Sequence, residues 1–189
     1  MATRTTDRGM AGWLALGLLL DSPASGYDLW RRAERSVAHF WPVTRSALYA
    51  ELPRLESRGF VSSSAVVQKG LPDKRVYAVT QAGREAFTEW LGGLEISERP
   101  RHPQQLQLFF AAHGPVDLAG RLVRDWRARA EQSEAHCLQI LTDRGVDPDT
   151  DDRPPRDPRL LTALFGLRRA RADQAFLDEA EQALGLTPR

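Results

Sequence analysis

The sequence predicts a mainly α-helical fold with one small β-hairpin, and three observations carry that prediction. Residues 43–61, VTRSALYAELPRLESRGFV, hold Ala47, Leu48, Leu52 and Leu55 at helical spacing, then break at Gly59 into the β-branched Val61. The alternation of Arg75-Val76-Tyr77-Ala78-Val79 follows a mixed strand-like run, residues 61–68, across the turn chemistry of Lys69-Gly70-Leu71-Pro72-Asp73. The C-terminal half contains two long segments whose apolar residues recur at helical steps.

Taken in order, a first helix is expected over residues 10–20, stopped by a Ser, Pro and Gly turn at residues 21–26. A second starts near Ser25, packs Tyr27, Leu29, Trp30, Ala33 and Val37, and sends Arg31, Arg32 and Glu34 outward. Trp41-Pro42 closes it, because the residue before proline avoids helical angles. Thr44 is a good N-cap for the third helix, which sets Ser46, Tyr49 and Arg54 opposite its apolar stripe. Pro53 lies inside that helix, where a proline removes a hydrogen bond at a cost of ~3 kcal/mol, so a local kink is expected. After the hairpin, Thr80 opens a fourth helix through Ala82, Phe87 and Leu91 that ends at Gly92-Gly93.

Residues 93–103 read as a linker. A short helix, QLQLFFAAHG, precedes a long one over residues 116–144, with Leu118, Leu122, Trp126, Ala130, Cys137 and Leu141 on one stripe. Residues 147–157, rich in Asp and Pro, form a loop. The last helix, residues 158–184, repeats Leu161, Phe165, Ala172, Phe176, Ala180 and Ala183 on one side.

Composition narrows the function classes. The 42% hydrophobic content suits a globular chain, and a single cysteine, Cys137, excludes an internal disulfide framework and fits a reducing, cytoplasmic compartment. Arg4 and Arg8 before the apolar residues 10–20 resemble a signal peptide, but the run is short of the roughly 20 apolar residues of a membrane span, and a buried first helix explains it better. Net charge is only +1, yet residues 1–91 carry 12 Lys and Arg against 9 Asp and Glu, so the N-terminal half is the better phosphate partner.

No enzyme is expected. His39, His102, His113 and His136 show no HExxH spacing, and His136-Cys137 cannot aim both groups at one site from a regular helix. No G-x-S-x-G, P-loop or G-x-G-x-x-G occurs, and the acidic residues 147–152 lack the glycine and terminal glutamate of a calcium loop. Cys137 sits on an apolar stripe, as a core thiol would. The reading therefore includes no catalytic residue, metal or cofactor.

Three helices followed by a hairpin is the order of a winged helix-turn-helix. A helix entering the major groove needs small or polar residues at its leading end, which Thr44, Arg45, Ser46 and Tyr49 supply. Against this, Thr44 can serve only as a cap, Ser46 as a solvated side chain and Tyr49 as core. Lys69, Lys74 and Arg75 flank the wing turn within reach of phosphates or the minor groove, or are simply solvated.

The chain resembles the PadR family of bacterial transcriptional regulators over about residues 11–91. LALGLLLDSPASGYDLWRRA looks like that family's opening helices, TRSALYAELPRLESRGFV like its recognition helix, and DKRVYAVTQAGREAFTEWL like its wing and following helix; Pro53 departs from the pattern. The resemblance implies DNA binding, a repressor's role, and Tyr49 near the DNA, while Tyr27 of GYDL is expected to pack between helices. It also implies a small aromatic effector, for which Trp13, Phe109, Phe110, Trp126 and Phe165 are possible walls, or equally interior filling.

The expected organisation is a DNA-binding domain over residues 1–92, the linker, and a helical dimerisation domain over residues 104–189. The C-terminal stripes, represented by Leu118, Leu122, Trp126, Phe165, Phe176 and Ala180, exceed the partner surface of one chain, so a two-fold homodimer reading a palindromic operator is expected. The rival is a protein-interaction module that keeps the winged-helix shape without binding DNA.

Overall fold

The computed structural model describes residues 7–38, 40–66, 74–93, 102–150 and 153–186. The chain divides between Ile96 and Ser97 into two compact units.

In the N-terminal unit, helix α1 (Asp7–Asp21) buries Ala11, Ala15, Leu16, Leu18 and Leu19. It begins three residues before the expected start. A two-residue strand, β1 (Ala24–Ser25), follows where a turn was expected, and pairs antiparallel with the later strand β3 (Lys74–Val79) through Ala24↔Tyr77 and Ser25↔Val76. Two residues are too few to show alternation, so the strand is legible only beside the edge it completes. Ser25 then caps helix α2 (Gly26–Ser36), its Oγ accepting from the Asp28 amide at 3.2 Å.

Helix α2 ends earlier than Trp41: Val37 is its C-cap, and the Ser36 hydroxyl turns back to donate to the Arg32 carbonyl. Arg32 is not outward as expected. It donates to the carbonyls of Leu18 (2.7 Å) and Ser22 (3.0 Å), satisfying acceptors at the end of α1 where a cation also suits the helix dipole.

Helix α3 (Arg45–Ser57) is capped by Thr44 and buries Leu48, Leu52 and Leu55. It runs through Pro53 without interruption; the proline withholds only the hydrogen bond that the Tyr49 carbonyl would have accepted. The end is set by Gly59 at φ 74°, which lets the Phe60 amide reach the Leu55 carbonyl and the Gly59 amide reach Glu56, both at 2.9 Å.

Strands β2 (Val61–Val66) and β3 (Lys74–Val79) pair from Val61↔Val79 to Val66↔Lys74, giving a three-stranded sheet in the order β1-β3-β2 rather than a lone hairpin. The wing turn, with Lys69, lies outside the described residues. Helix α4 (Gln81–Gly92) is capped by Thr80, and Trp13 of α1 stacks on its Trp90 at 5.3 Å. Leu16, Leu29, Leu48 and Leu52 form the fully buried centre of the unit.

The C-terminal unit holds α5 (Pro103–Phe109), a 3-10 turn (Ala111–His113), α6 (Leu118–Thr142) and α7 (Pro158–Ala183). Its two clusters join Cys137 and Leu141 to Ala163, Leu164 and Leu167, and Val123 and Ala130 to Leu177. The α7 stripe expected from sequence is largely the other side of the helix. Phe165 is 68% exposed and Leu161 and Phe176 are each 43% exposed, while Ala163, Leu164, Leu167, Ala170 and Leu177 pack inward. On α6, Ala130, Cys137 and Leu141 are buried as expected, but Leu118, Leu122 and Trp126 are half-buried and Val123 takes the interior position. Around α7 both faces are apolar at helical spacing, and only α6 selects between them.

Charged groups stitch α6 to α7. Arg127 binds Asp178 and Glu181 at 2.7 and 2.8 Å, and Arg171 binds Glu134 and Asp149 at 2.8 and 2.6 Å. Hydrogen bonds from Arg171 and Gln174 hold the Glu134 carboxyl below its ordinary range. Among the described residues no helix is long and apolar enough to cross a membrane.

A Cβ placed on Gly83 would overlap the Phe60 carbonyl oxygen, whereas one on Gly92 meets nothing within 4 Å. Gly83→Ala should therefore destabilise the N-terminal unit by about 1–3 kcal/mol despite alanine's better helix propensity, while Gly92→Ala costs nothing measurable. Urea unfolding of the two variants checks this, and equal midpoints would refute the steric argument.

Candidate nucleic-acid interface

The exposed face of α3 is assembled from its first two turns. Thr44 Oγ1 accepts from the Ala47 amide at 3.2 Å and lies 3.1 Å from Ser46 Oγ, so the cap also orients the neighbouring hydroxyl. Arg45 and Tyr49, four residues apart, share that face, and Arg45 Nη2 donates to Tyr49 Oη at 3.4 Å. Ser46 is exposed and Tyr49 is 42% exposed, so this tyrosine is not core.

The GYDL segment, residues 26–29, supports this face one residue at a time. Gly26 lies against the Tyr49 ring, which is 3.0 Å from the position a Cβ would take, so a side chain there would press on the ring and shift it by a few tenths of an ångström. Tyr27 is 45% exposed instead of packed between helices, and its ring carries the Arg45 guanidinium 5.4 Å from the centroid. Asp28 accepts from Ser25 Oγ at 2.7 Å and from Lys74 Nζ at 3.1 Å; the Ser25 bond first, then Lys74, pulls its carboxyl below the usual range. Leu29 is fully buried.

The two described wing cations are tied back to the domain. Lys74 pairs with Asp28, and Arg75 reaches Glu56 at 3.1 Å and Ser63 Oγ at 2.6 Å. These pairs are partly exposed, so each is weak and a phosphate can compete for the cation. Between them, a cleft of about 450 Å³ opens among the start of α2, Tyr49 and β3. Thr44, Arg45, Ser46 and Tyr49 thus come together, Lys74 and Arg75 line the cleft beside Tyr49, and Lys69 is outside the described residues. Sequence reasoning missed Tyr27 and Asp28 as parts of this surface. The S-x-x-D spacing of Ser25 and Asp28 was the available signal for the second, because a capping box fixes its acidic residue at the helix start.

The remaining candidates sit elsewhere. Leu118, Leu122 and Ala180 are half-buried, and Trp126 donates to Asp173 at 3.3 Å with its ring 5.5 Å from Phe176. Phe109 and Phe110 form an edge-to-face pair at 5.0 Å, exposed by 78% and 52%, and Phe165 stands in solvent. Trp13 belongs to the N-terminal unit, stacked on Trp90 and Phe60.

Residues 15–89 match the transcriptional regulator PadR-like family, and residues 100–185 match the virulence activator alpha C-terminal family. The chain is 29% identical over 181 residues to the probable transcriptional regulator Rv1176c of Mycobacterium tuberculosis, covering 88% of this chain and 93% of that one. Its fold is that of the PadR-like regulator BC1756 of Bacillus cereus, with a TM-score of 0.75 at 20% identity over 93% of this chain and 98% of that one. It is also that of Bacillus subtilis PadR, solved with operator DNA (TM-score 0.70, 20% identity, 93% and 97% covered) and with p-coumaric acid (0.62, 19%, 96% and 97%). The PadR-like match lies on the capped helix α3, the hairpin and the helix after it, and the mycobacterial relative aligns with most of the chain: over residues 15–89 the protein carries the domain of the PadR-like family of transcriptional regulators.

Proposed function

We propose that the protein is a cytoplasmic, homodimeric repressor of a palindromic operator, released by a small aromatic molecule. The observation that carries the reading is the face of Thr44, Arg45, Ser46 and Tyr49, where the Arg45 charge is held outward without a carboxylate among the described residues. Arg45 reads a base edge in the major groove, and Lys69, Lys74 and Arg75 hold phosphates. Bacillus subtilis PadR has been solved with operator DNA, which supports the same use of this fold here. Arg45→Ala is expected to weaken the operator by about 1–3 kcal/mol, and Lys69→Ala to weaken all sequences alike with a shallower salt dependence. Titration of labelled genomic fragments checks both; no binding to any fragment would favour a protein-interaction module.

Residues 104–189 supply the dimer contacts in this proposal. Phe165 and Phe176 on α7 and the half-buried Leu118, Leu122, Trp126 and Ala180 give a second copy an apolar surface, each ring worth about 1.5–3 kcal/mol when fully buried. Light scattering at micromolar concentration should find a dimer, and Phe165→Glu with Phe176→Glu a monomer that binds the operator more weakly through lost avidity. A monomeric parent protein would refute the assembly.

The effector reading rests on the aromatic side chains Trp13, Phe109, Phe110, Trp126 and Phe165, and on the p-coumaric acid bound by PadR of Bacillus subtilis. A ligand preferring the DNA-free state tenfold shifts operator affinity by about 1.4 kcal/mol. Aromatic acids should quench tryptophan emission and release labelled operator together, with Trp126→Phe or Trp13→Phe removing the signal; no compound changing either quantity would discard the effector.

A further inference from the structure

The surroundings of Arg45 assign a role to Tyr27, on a different helix from the reading residues. The Arg45 guanidinium lies 5.4 Å from the Tyr27 ring centroid and 5.2 Å from that of Tyr49, with one Nη bonded to Tyr49 Oη. The neighbouring cations are held differently: Lys74, Arg75 and Arg54 each take a carboxylate, from Asp28, Glu56 and Glu51. Arg45, among the described residues, takes none. Two aromatic faces orient a guanidinium without neutralising it and occupy its plane, not its edge, so most of its N–H donors stay available. Tyr27 is itself steadied by Trp30, one helical turn on, at 6.0 Å between rings.

Resting on the reading of Arg45 as a base-reading residue, we propose that Tyr27 is a positioning residue for sequence discrimination: it holds the Arg45 guanidinium poised before DNA arrives. A bidentate contact to a guanine edge needs the planar fork at one angle, and an arginine already confined loses less side-chain freedom on binding. Tyr27 therefore affects which base is accepted far more than how tightly phosphates are held.

The test uses the full-length chain and an operator selected by it from genomic fragments. The Arg45 Nε resonance, identified by its loss in Arg45→Lys, is expected to be ordered in ¹⁵N relaxation of the free protein, mobile in Tyr27→Ala and ordered again in Tyr27→Phe. Against operators substituted at the Arg45-dependent base pair, Tyr27→Ala should lose roughly fivefold in discrimination with an unchanged salt slope, and Tyr27→Phe should match the parent. In an Arg45→Ala background, Tyr27→Ala should change discrimination no further. Equal Arg45 order in the parent and Tyr27→Ala, or a loss that persists without Arg45, overturns the positioning role while leaving DNA reading intact. An ordered Arg45 in a parent protein that binds no fragment overturns the readout function itself, which separates the two failures.

Discussion

The N-terminal unit depends on a close backbone approach between the end of α3 and the start of α4. Gly59 turns the chain out of α3, Phe60 returns its amide to Leu55, and the Phe60 carbonyl accepts from the Thr80 amide at 3.0 Å. The Thr80 hydroxyl donates to the Gly59 carbonyl at 2.7 Å and accepts from Gly83, whose missing side chain lets α4 lie against Phe60. One junction thus ends α3, sets the Val61↔Val79 register and starts the helix that carries Phe87 and Trp90 back to α1. Because strand register has a period of two, a slip at this junction would exchange the buried Tyr77 with its half-buried neighbours Val76 and Ala78 and dismantle the cleft beside Tyr49.

Electrostatics on the same surface shows how a chain with a net charge of +1 gathers cations on one side of its N-terminal unit. Lys74 and Arg75 are balanced by Asp28 and Glu56, which lowers the field of the free domain and fastens the wing to α2 and α3. Exposed pairs of this kind contribute little stability, so a phosphate can replace the carboxylate at modest cost. Arg45 is organised by rings instead, which keeps its charge unspent. Whole-chain charge is a poor guide to such a surface, since it sums paired and unpaired groups alike.

The C-terminal unit shows a limit of periodicity. Helix α7 has apolar residues on two faces: Ala163, Leu164, Leu167, Ala170 and Leu177 against α6, and Leu161, Phe165 and Phe176 on the more exposed side, where Phe176 still meets the Trp126 ring. The inward face takes Leu164, Leu167 and Leu177 with the small Ala163 and Ala170, and since both faces repeat apolar residues at helical steps, only packing against α6 decides between them.

Local chemistry was determined by the sequence itself. Thr44, Thr80 and Ser25 each start a helix because a side-chain oxygen satisfies an amide three residues away, and Gly59 ends one because it adopts φ 74° without strain. The family segments around GYDL, LYAEL and YAVT were legible for the same reason, and with them the winged helix and the shared exposed face of Thr44 to Tyr49. The tertiary structure alone decided β1, Arg32 at the end of α1, the carboxylate partners of Lys74 and Arg75, the inward face of α7, and Tyr27 beside Arg45. Each of these needs a partner distant in the chain, and spacing along a sequence carries no information about which distant group will arrive to complete a strand, a cap, an ion pair or a stacked guanidinium.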